Sequence, residues 1–354
     1  MTSTTSTPHD AVFKGLIGQP EHARGVLRSI VPAAVADTID WQSLTPVPGN
    51  FVDLELGQQY TDLLFSARWA EGAETEAMGF DENELLAYLL FEHQSAPPKT
   101  RDGPMAYRLL RYQVRIWEQW ISRNPEAKAL PMIIPIVMYH GRAPWSEARS
   151  FSDLLAVPPA VRPAVKRYLV QLEYLLHDLS ELTDEELRGR AMTAVAKLVT
   201  MCFKHARTHP NFLALFGRWM DVVRQVFEAP NGLSALAQVL CYILQVNKDV
   251  TREELQALLV REIGPETEGV IVTTGQQLIE QGIERGIKQG IEQGIEQGHQ
   301  RGVQATLLKL LRLRFGSQVD ARVEQHLAAA SMDQLERWTE RLLSATTLGE
   351  LLAS

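Results

Sequence analysis

The sequence predicts a mixed α/β core followed by an all-helical C-terminal region, and three features carry that reading. Tyr60–Phe65 and Glu84–Ser95 are runs too apolar to face water on either side, as expected of strands sandwiched between layers. Pro104–Arg123 is an amphipathic helix, with Leu109, Tyr112, Ile116 and Trp120 at spacings of three and four, and another buried strand, Leu130–Gly141, follows it. Beyond Trp145 the periodicity is helical from Pro158 to Val260.

The elements in order read helix, helix, strand, strand, strand, helix, strand. His9–Lys14 opens the first helix, with Asp10 as the expected N-cap. Pro20 suits the first turn of a second helix over Pro20–Ile30, and Pro32 ends it. Phe51–Leu56 alternates with period two, which makes Asp53 and Glu55 a solvated face. Tyr60–Trp69 is the next strand, Glu71–Asn83 a loop, and Glu84–Gln94 the most apolar strand, closed by Pro97 and Pro98. Pro135 inside the last strand implies an edge position or a bulge. Thr183–Glu186 and Thr251–Glu254 are capping boxes in the helical stretch.

With 354 residues, 45% of them hydrophobic, the chain can bury a real core, which excludes global disorder. A net charge of −8 argues against a surface that coats nucleic acid throughout, so any such contact needs a local basic face. The two cysteines, Cys202 and Cys241, sit in apolar helical patterns and read as buried thiols in a reducing compartment. The N-terminus has no secretory pattern and no run reaches the ~18 apolar residues of a membrane span, so a cytoplasmic protein is expected. His205 and His209 lie four apart with no carboxylate or thiol between them, and read as solvated or helix-end groups rather than metal ligands.

Residues 275–302 form a tandem repeat. Gly282, Gly286, Gly290, Gly294, Gly298 and Gly302 recur every four residues, as do Ile279, Ile283, Ile287, Ile291 and Ile295. A period of four drifts by ~40° per repeat around a straight helix. Each glycine costs about 1 kcal/mol of helicity relative to alanine. Alone such a helix is poor; against a copy of itself, glycines allow close approach and isoleucines supply burial. A self-association stalk, a flexible spacer and an expanded repeat without a role all fit. Val303–Phe315, Val319–Leu327 and Ser331–Leu343 follow as tail helices, the last opened by a Ser331–Gln334 capping box. The segments are therefore a leader over 1–8, an α/β core over 9–150, a helical extension over 151–265, the repeat-bearing segment over 266–302 and the tail over 303–354.

The chemistry centres on Asp62 and Glu92, carboxylates delivered by apolar strands, where burial is costly unless a cation or donor meets them. Paired strands would bring them to one point. Gln94, two residues on, shares the face of Glu92, whereas His93 faces away and offers its backbone carbonyl. Two carboxylates can hold a hard cation with positions left open, which is what phosphodiester hydrolysis needs. Each has a plainer reading: Asp62 and Glu92 as ion-pair partners of helix arginines, Asp10 as a cap, His93 and His140 as strand-end hydrogen-bonding groups.

His9–Lys14, Asp62–Leu64, Leu90–Ser95, Tyr107–Tyr112, Ile116–Trp117 and Leu130–Gly141 with Trp145 together resemble the recombination-promoting nuclease family, also called YhgA-like putative transposases. That family falls in the PD-(D/E)XK nuclease superfamily, and the likeness covers residues 8–260. It implies a restriction-endonuclease-like sheet core flanked by helices and a metal-dependent DNA endonuclease using Mg²⁺ (or Mn²⁺ or Ca²⁺). It also implies self-association through the C-terminal region, here a homo-oligomer held by the 275–302 repeat and tail helices. Asp62, Glu92 and Gln94 would be catalytic, with Asp62, Glu92 and His93 at the metal. Gln94 stands at the superfamily's lysine position and can only hydrogen-bond, so positive charge would come from Lys14, Arg108 or Arg111. Arg108, Arg111 and Arg115 read equally as DNA phosphate contacts or as a solvated helix face. The rival functions are an oligomerising DNA-binding or regulatory protein on a decayed nuclease core, and a true transposase.

Overall fold

The computed structural model describes residues 8–47, 63–70, 86–94, 103–126, 129–270, 302–328, 330–342, 345 and 347–352. The chain divides into two compact units, 1–278 and 279–354. The expected strand Phe51–Leu56, Asp62, most of the glycine–isoleucine repeat and the side chain of Glu92 lie outside the described residues.

The first unit is a mixed α/β structure. Helix α1 (Pro8–Val12) continues as a π-helical turn over Phe13–Ile17, then come α2 (Pro20–Ile30) and a short α3 (Ala33–Ala36). Helix α1 starts at Pro8, which places Asp10 inside the first turn and corrects the N-cap expectation. A five-stranded sheet follows in the order β1 (Ile39–Pro46), β2 (Leu63–Trp69), β3 (Leu86–Gln94), β4 (Met132–Tyr139) and β5 (Leu175–Asp178). β1, β2 and β3 pair antiparallel, while β3, β4 and β5 pair parallel. A parallel neighbour needs a crossover, and α4 (Met105–Arg123) supplies it between β3 and β4.

Two strands depart from expectation. β1 lies between Pro32 and Phe51, where no strand was expected, and β5 interrupts the stretch read as helical throughout. Four residues, Leu-Leu-His-Asp, are too few to show a period, so the surrounding helical pattern masks β5 in the sequence. Pro135 causes no bulge: β4 pairs with β3 without a break from Met132 to Tyr139, and pairing with β5 begins only at Ile136. On the β5 side the proline is at an unpaired margin, where its missing N–H costs nothing.

Strand alternation sends the two faces of the sheet into separate cores. Phe65, Ala67, Phe91, Ile136 and Met138 join the larger one, with Phe13, Leu16 and Val26 from the first helices. That core also takes residues of α6 (Ala194–His205), α8 (Met220–Glu228) and α9 (Gly232–Val246), which follow α5 (Asp184–Gly189) and alternate with α7 (Phe212–Gly217). Leu64, Ile133 and Val137 face the smaller core, built on Met105, Leu109, Tyr112 and Ile116 of α4. Both cysteines are buried thiols, and burial pushes Cys241 up to about 11.

Helix α10 (Arg252–Glu262) and α5 carry the expected capping boxes at Thr251 and Thr183. His205 does meet a carboxylate: Asp184 Oδ1 lies 2.7 Å from its Nε2 and 2.9 Å from Lys204 Nζ. The partner comes from α5, 21 positions away in sequence, which is why a search within the helix missed it. In the second unit, residues 302–315 are helical, followed by α11 (Ala321–Ala328), α12 (Met332–Arg341) and α13 (Leu348–Leu352) around Leu311, Leu335 and Trp338. No helix among the described residues is long and apolar enough to cross a membrane.

Candidate active site

The end of β3 carries the residues singled out from the sequence. Leu63 of β2 pairs with Phe91 of β3, so the residue after Asp62 and the residue before Glu92 are partners in the antiparallel ladder. Phe91 and His93 belong to the larger core face, two positions apart, and Gln94 is half-buried one step out of phase. The Gln94 carbonyl accepts from the His140 backbone N–H at 3.0 Å.

The arginines of α4 separate. Arg108 is buried on the sheet-facing side, its Nη2 3.4 Å from the Tyr112 hydroxyl one turn on. Arg111 is exposed, 5.9 Å from the Tyr107 ring, and Arg115 pairs with Glu118 at 2.9 Å on the surface. The three thus do not form one basic face, because the helix is turned so that Arg108 falls inside the packed stripe. Lys14 is exposed on the π-helical turn, near enough to His93 for its charge to disfavour protonation there.

On the other face of β3 the structure gathers a cluster that the sequence did not announce. His9 from α1, His93 from β3 and His140 after β4 are all buried. His93 Nε2 and His140 Nε2 lie 2.5 Å apart, with rings stacked at 4.5 Å. Two lone pairs or two N–H groups would repel at that distance, so one ring donates and the other accepts. Asp10 Oδ1 stands 3.8 Å from His93 Nδ1, and a proton on Nδ1 facing that carboxylate would leave His93 Nε2 to accept from His140. His9 Nδ1 is 3.0 Å from the Tyr242 hydroxyl of α9, and Phe203 of α6 stacks on His140 at 4.9 Å and 16°. Arg207 reaches the His140 carbonyl at 3.2 Å.

Burial holds all three imidazoles neutral. His9 is lowered to about 4 by desolvation, then by His93 and Arg207. Desolvation also lowers His93 against the opposing pull of Asp10, and takes His140 well below its ordinary range. These residues lie at positions 9, 10, 93, 140 and 242, and the sequence offered only the strand-end motifs Glu92-His93-Gln94 and Tyr139-His140-Gly141 as signals. Gly141 is required there: a Cβ would sit 1.9 Å from the Tyr139 hydroxyl, which itself donates to the Ala143 carbonyl at 2.5 Å. Among the described residues, no three His, Cys, Asp or Glu side chains are arranged to hold a metal ion.

A mixed sheet flanked by helices hosts many functions, and the comparisons with known proteins narrow the class. The chain belongs to the putative transposase, YhgA-like family, whose model matches residues 7–234. Recombination-promoting nuclease RpnD of Escherichia coli O157:H7 is 30% identical over 242 residues, 68% of this chain and 82% of its own. Recombination-promoting nuclease RpnA of Escherichia coli (strain K12) is 26% identical over 279 residues, 78% of this chain and 85% of its own. A third relative from that strain, named inactive recombination-promoting nuclease-like protein RpnE, is 26% identical over 281 residues, 79% of this chain and 84% of its own. No solved structure matches the chain.

Proposed function

We propose that the chain is a metal-dependent DNA endonuclease on a PD-(D/E)XK-type core, with Asp62 and Glu92 as the ligands of Mg²⁺ (or Mn²⁺ or Ca²⁺). The observation that carries this is the pairing of Leu63 with Phe91. Consecutive Cα atoms are about 3.8 Å apart, so residues adjoining a paired Leu63 and Phe91 could offer two carboxylates to one ion, which supports the reading. The donor chemistry fits: carboxylates and a backbone carbonyl are hard oxygen ligands suited to magnesium. The His93 ring is committed to His140, so the backbone carbonyl is what His93 brings to the ion. When bound, the metal would supply an activated water and relief of charge on the phosphoryl group.

The protein's own groups divide the remaining work. Gln94 orients by hydrogen bonding where the superfamily has a lysine. Arg108, buried on the sheet-facing side of α4, is the cation assigned to the scissile phosphate. Lys14 and Arg111, both exposed, are assigned to phosphates of the DNA backbone. Self-association is assigned to the 275–302 repeat and the tail helices, and an unchanged solution mass after deleting 275–302 would remove that role. The purpose served, recombination or defence, follows from the partners in the cell. The names of the relatives support recombination.

Plasmid nicking with Mg²⁺ tests the reading. Wild-type protein is expected to nick, and Asp62→Ala and Glu92→Ala are each expected to lose activity. Protein that never cuts with Mg²⁺, Mn²⁺ or Ca²⁺, or that cuts equally well after both substitutions, sinks it. The relative named inactive favours a second reading, an oligomerising DNA-binding or regulatory protein, which the same assay recognises as DNA binding without cutting. A transposase would also yield joined strands.

A further inference from the structure

Between Glu92 and Gln94 stands His93, a side chain held from several directions. His93 is gripped from three sides: Asp10 and Phe13 of the first helices, His140 beyond β4, and Phe203 of α6. Phe13 stacks on it at 4.9 Å and Phe203 lies at 5.0 Å. His140 ties β3 twice, through its backbone N–H to the Gln94 carbonyl and through its ring to the His93 ring. The β3–β4 register runs unbroken to Gln94↔Tyr139 at this point.

Stability does not call for such groups. Phe13 and Phe203 already pack on the imidazoles, and replacing both partners of a buried hydrogen bond by apolar groups of similar shape is often close to neutral. What a satisfied buried polar network adds is one fixed arrangement instead of several of similar energy. Residues 92 and 94 flank His93 along the strand, so any rotation or slip of His93 is passed directly to both.

We infer that His140 and Asp10, acting through His93, are positioning residues that fix the end of β3 and thereby set how tightly Asp62 and Glu92 hold their metal ion. The inference rests on the nuclease reading above. Magnesium demands near-ideal octahedral geometry, so small displacements of a ligand strand are costly. Residues behind metal ligands are worth about 10–100-fold in metal affinity.

The test measures Mn²⁺ affinity of the full-length chain by calorimetry, alongside thermal melting and DNA affinity in the presence of a chelator. His140→Leu and Asp10→Ala are expected to weaken Mn²⁺ binding by about tenfold or more while metal-free DNA affinity stays put. His140→Gln places an amide donor near the former Nε2 and is expected to recover most of the loss, which a purely space-filling role would not produce. Folded His140→Leu and Asp10→Ala proteins that bind Mn²⁺ like wild type overturn the inference. Should His140→Leu fail to fold, Asp10→Ala decides, since the Asp10 side chain is 30% exposed and its loss leaves no hole in the core. Asp62→Ala is the reference: if it binds Mn²⁺ as wild type does, the nuclease reading has failed, whereas a loss there with intact binding in the other variants removes the positioning role alone.

Discussion

On one face of the sheet the larger core closes over three imidazoles; on the other, α4 buries a guanidinium. The imidazoles are neutral and can satisfy one another, as the 2.5 Å contact of His93 with His140 and the 3.0 Å contact of His9 with Tyr242 do. Arg108 has no neutral form at any workable pH, so its face keeps a positive charge next to the strand. The histidine face therefore buries neutral rings, with Asp10, Lys14 and Arg207 at its margin, whereas the α4 face buries a guanidinium outright. The proposed chemistry calls on both a fixed strand end and a buried cation, and the two lie on opposite faces of one sheet.

The largest expected effect strikes the histidine face. Phe203→Ala removes the ring stacked on His140 and opens a cavity beside Tyr242, at a cost of about 3–5 kcal/mol in urea unfolding. A loss below 1 kcal/mol would mean the cluster collapses easily and fixes nothing. On the α4 face, Arg108→Leu should leave the fold largely intact yet reduce plasmid nicking by about 100-fold, the usual effect of losing one charge-stabilising donor. Nicking within a fewfold of wild type would move the cation elsewhere.

Acid should tell the faces apart. The folded-state pKa values of His9, His93 and His140 lie below the ordinary 6.5, so the unfolded chain binds protons that the folded chain refuses. Their contribution is complete above pH 6.5 and is lost as the pH falls toward about 4, the value for His9. His9 alone accounts for on the order of 2–3 kcal/mol across that range. Urea midpoints at pH 7.5, 6 and 5 should fall in that order, and fall less steeply in His9→Phe; parallel curves would contradict burial of a neutral His9. The smallest effect belongs to Arg111→Ala: stability unchanged within about 0.5 kcal/mol, and the salt dependence of DNA binding reduced by about one phosphate contact. A 100-fold nicking defect there would erase the distinction between Arg108 and Arg111.

The sequence made the local elements easier to find than what either face of the sheet buries. α2 has the bounds expected from Pro20 and the apolar edge ending at Ile30, and the capping boxes at Thr183, Thr251 and Ser331 all form. Such signals are local, complete within four to eleven residues. β2, β3, α4 and β4 were legible because each run is apolar enough to show its period. The burial of Arg108 was not, since its place at the edge of the helical stripe depends on how α4 is rolled against the sheet. The histidine cluster was hidden for a different reason. Its three histidines come from three separate places in the chain, α1 and the ends of β3 and β4, and each alone is an ordinary strand-end or helix-start histidine. Only the parallel pairing of β3 with β4 sets His93 beside His140. Asp184 and His205 repeat the lesson in smaller form, a pair joined by packing across 21 positions.

The bond between His9 and Tyr242 spans 233 positions. On a ribosome adding about 5–20 residues per second, the helix bearing His9 is made on the order of 10–50 s before its α9 partner. Through that interval Phe13 and Leu16 lack the last wall of their core and remain open to chaperones or to neighbouring nascent chains. A message cut short after β4 would encode Asp62, Glu92 and Gln94 in full, yet yield a strand end with nothing behind it.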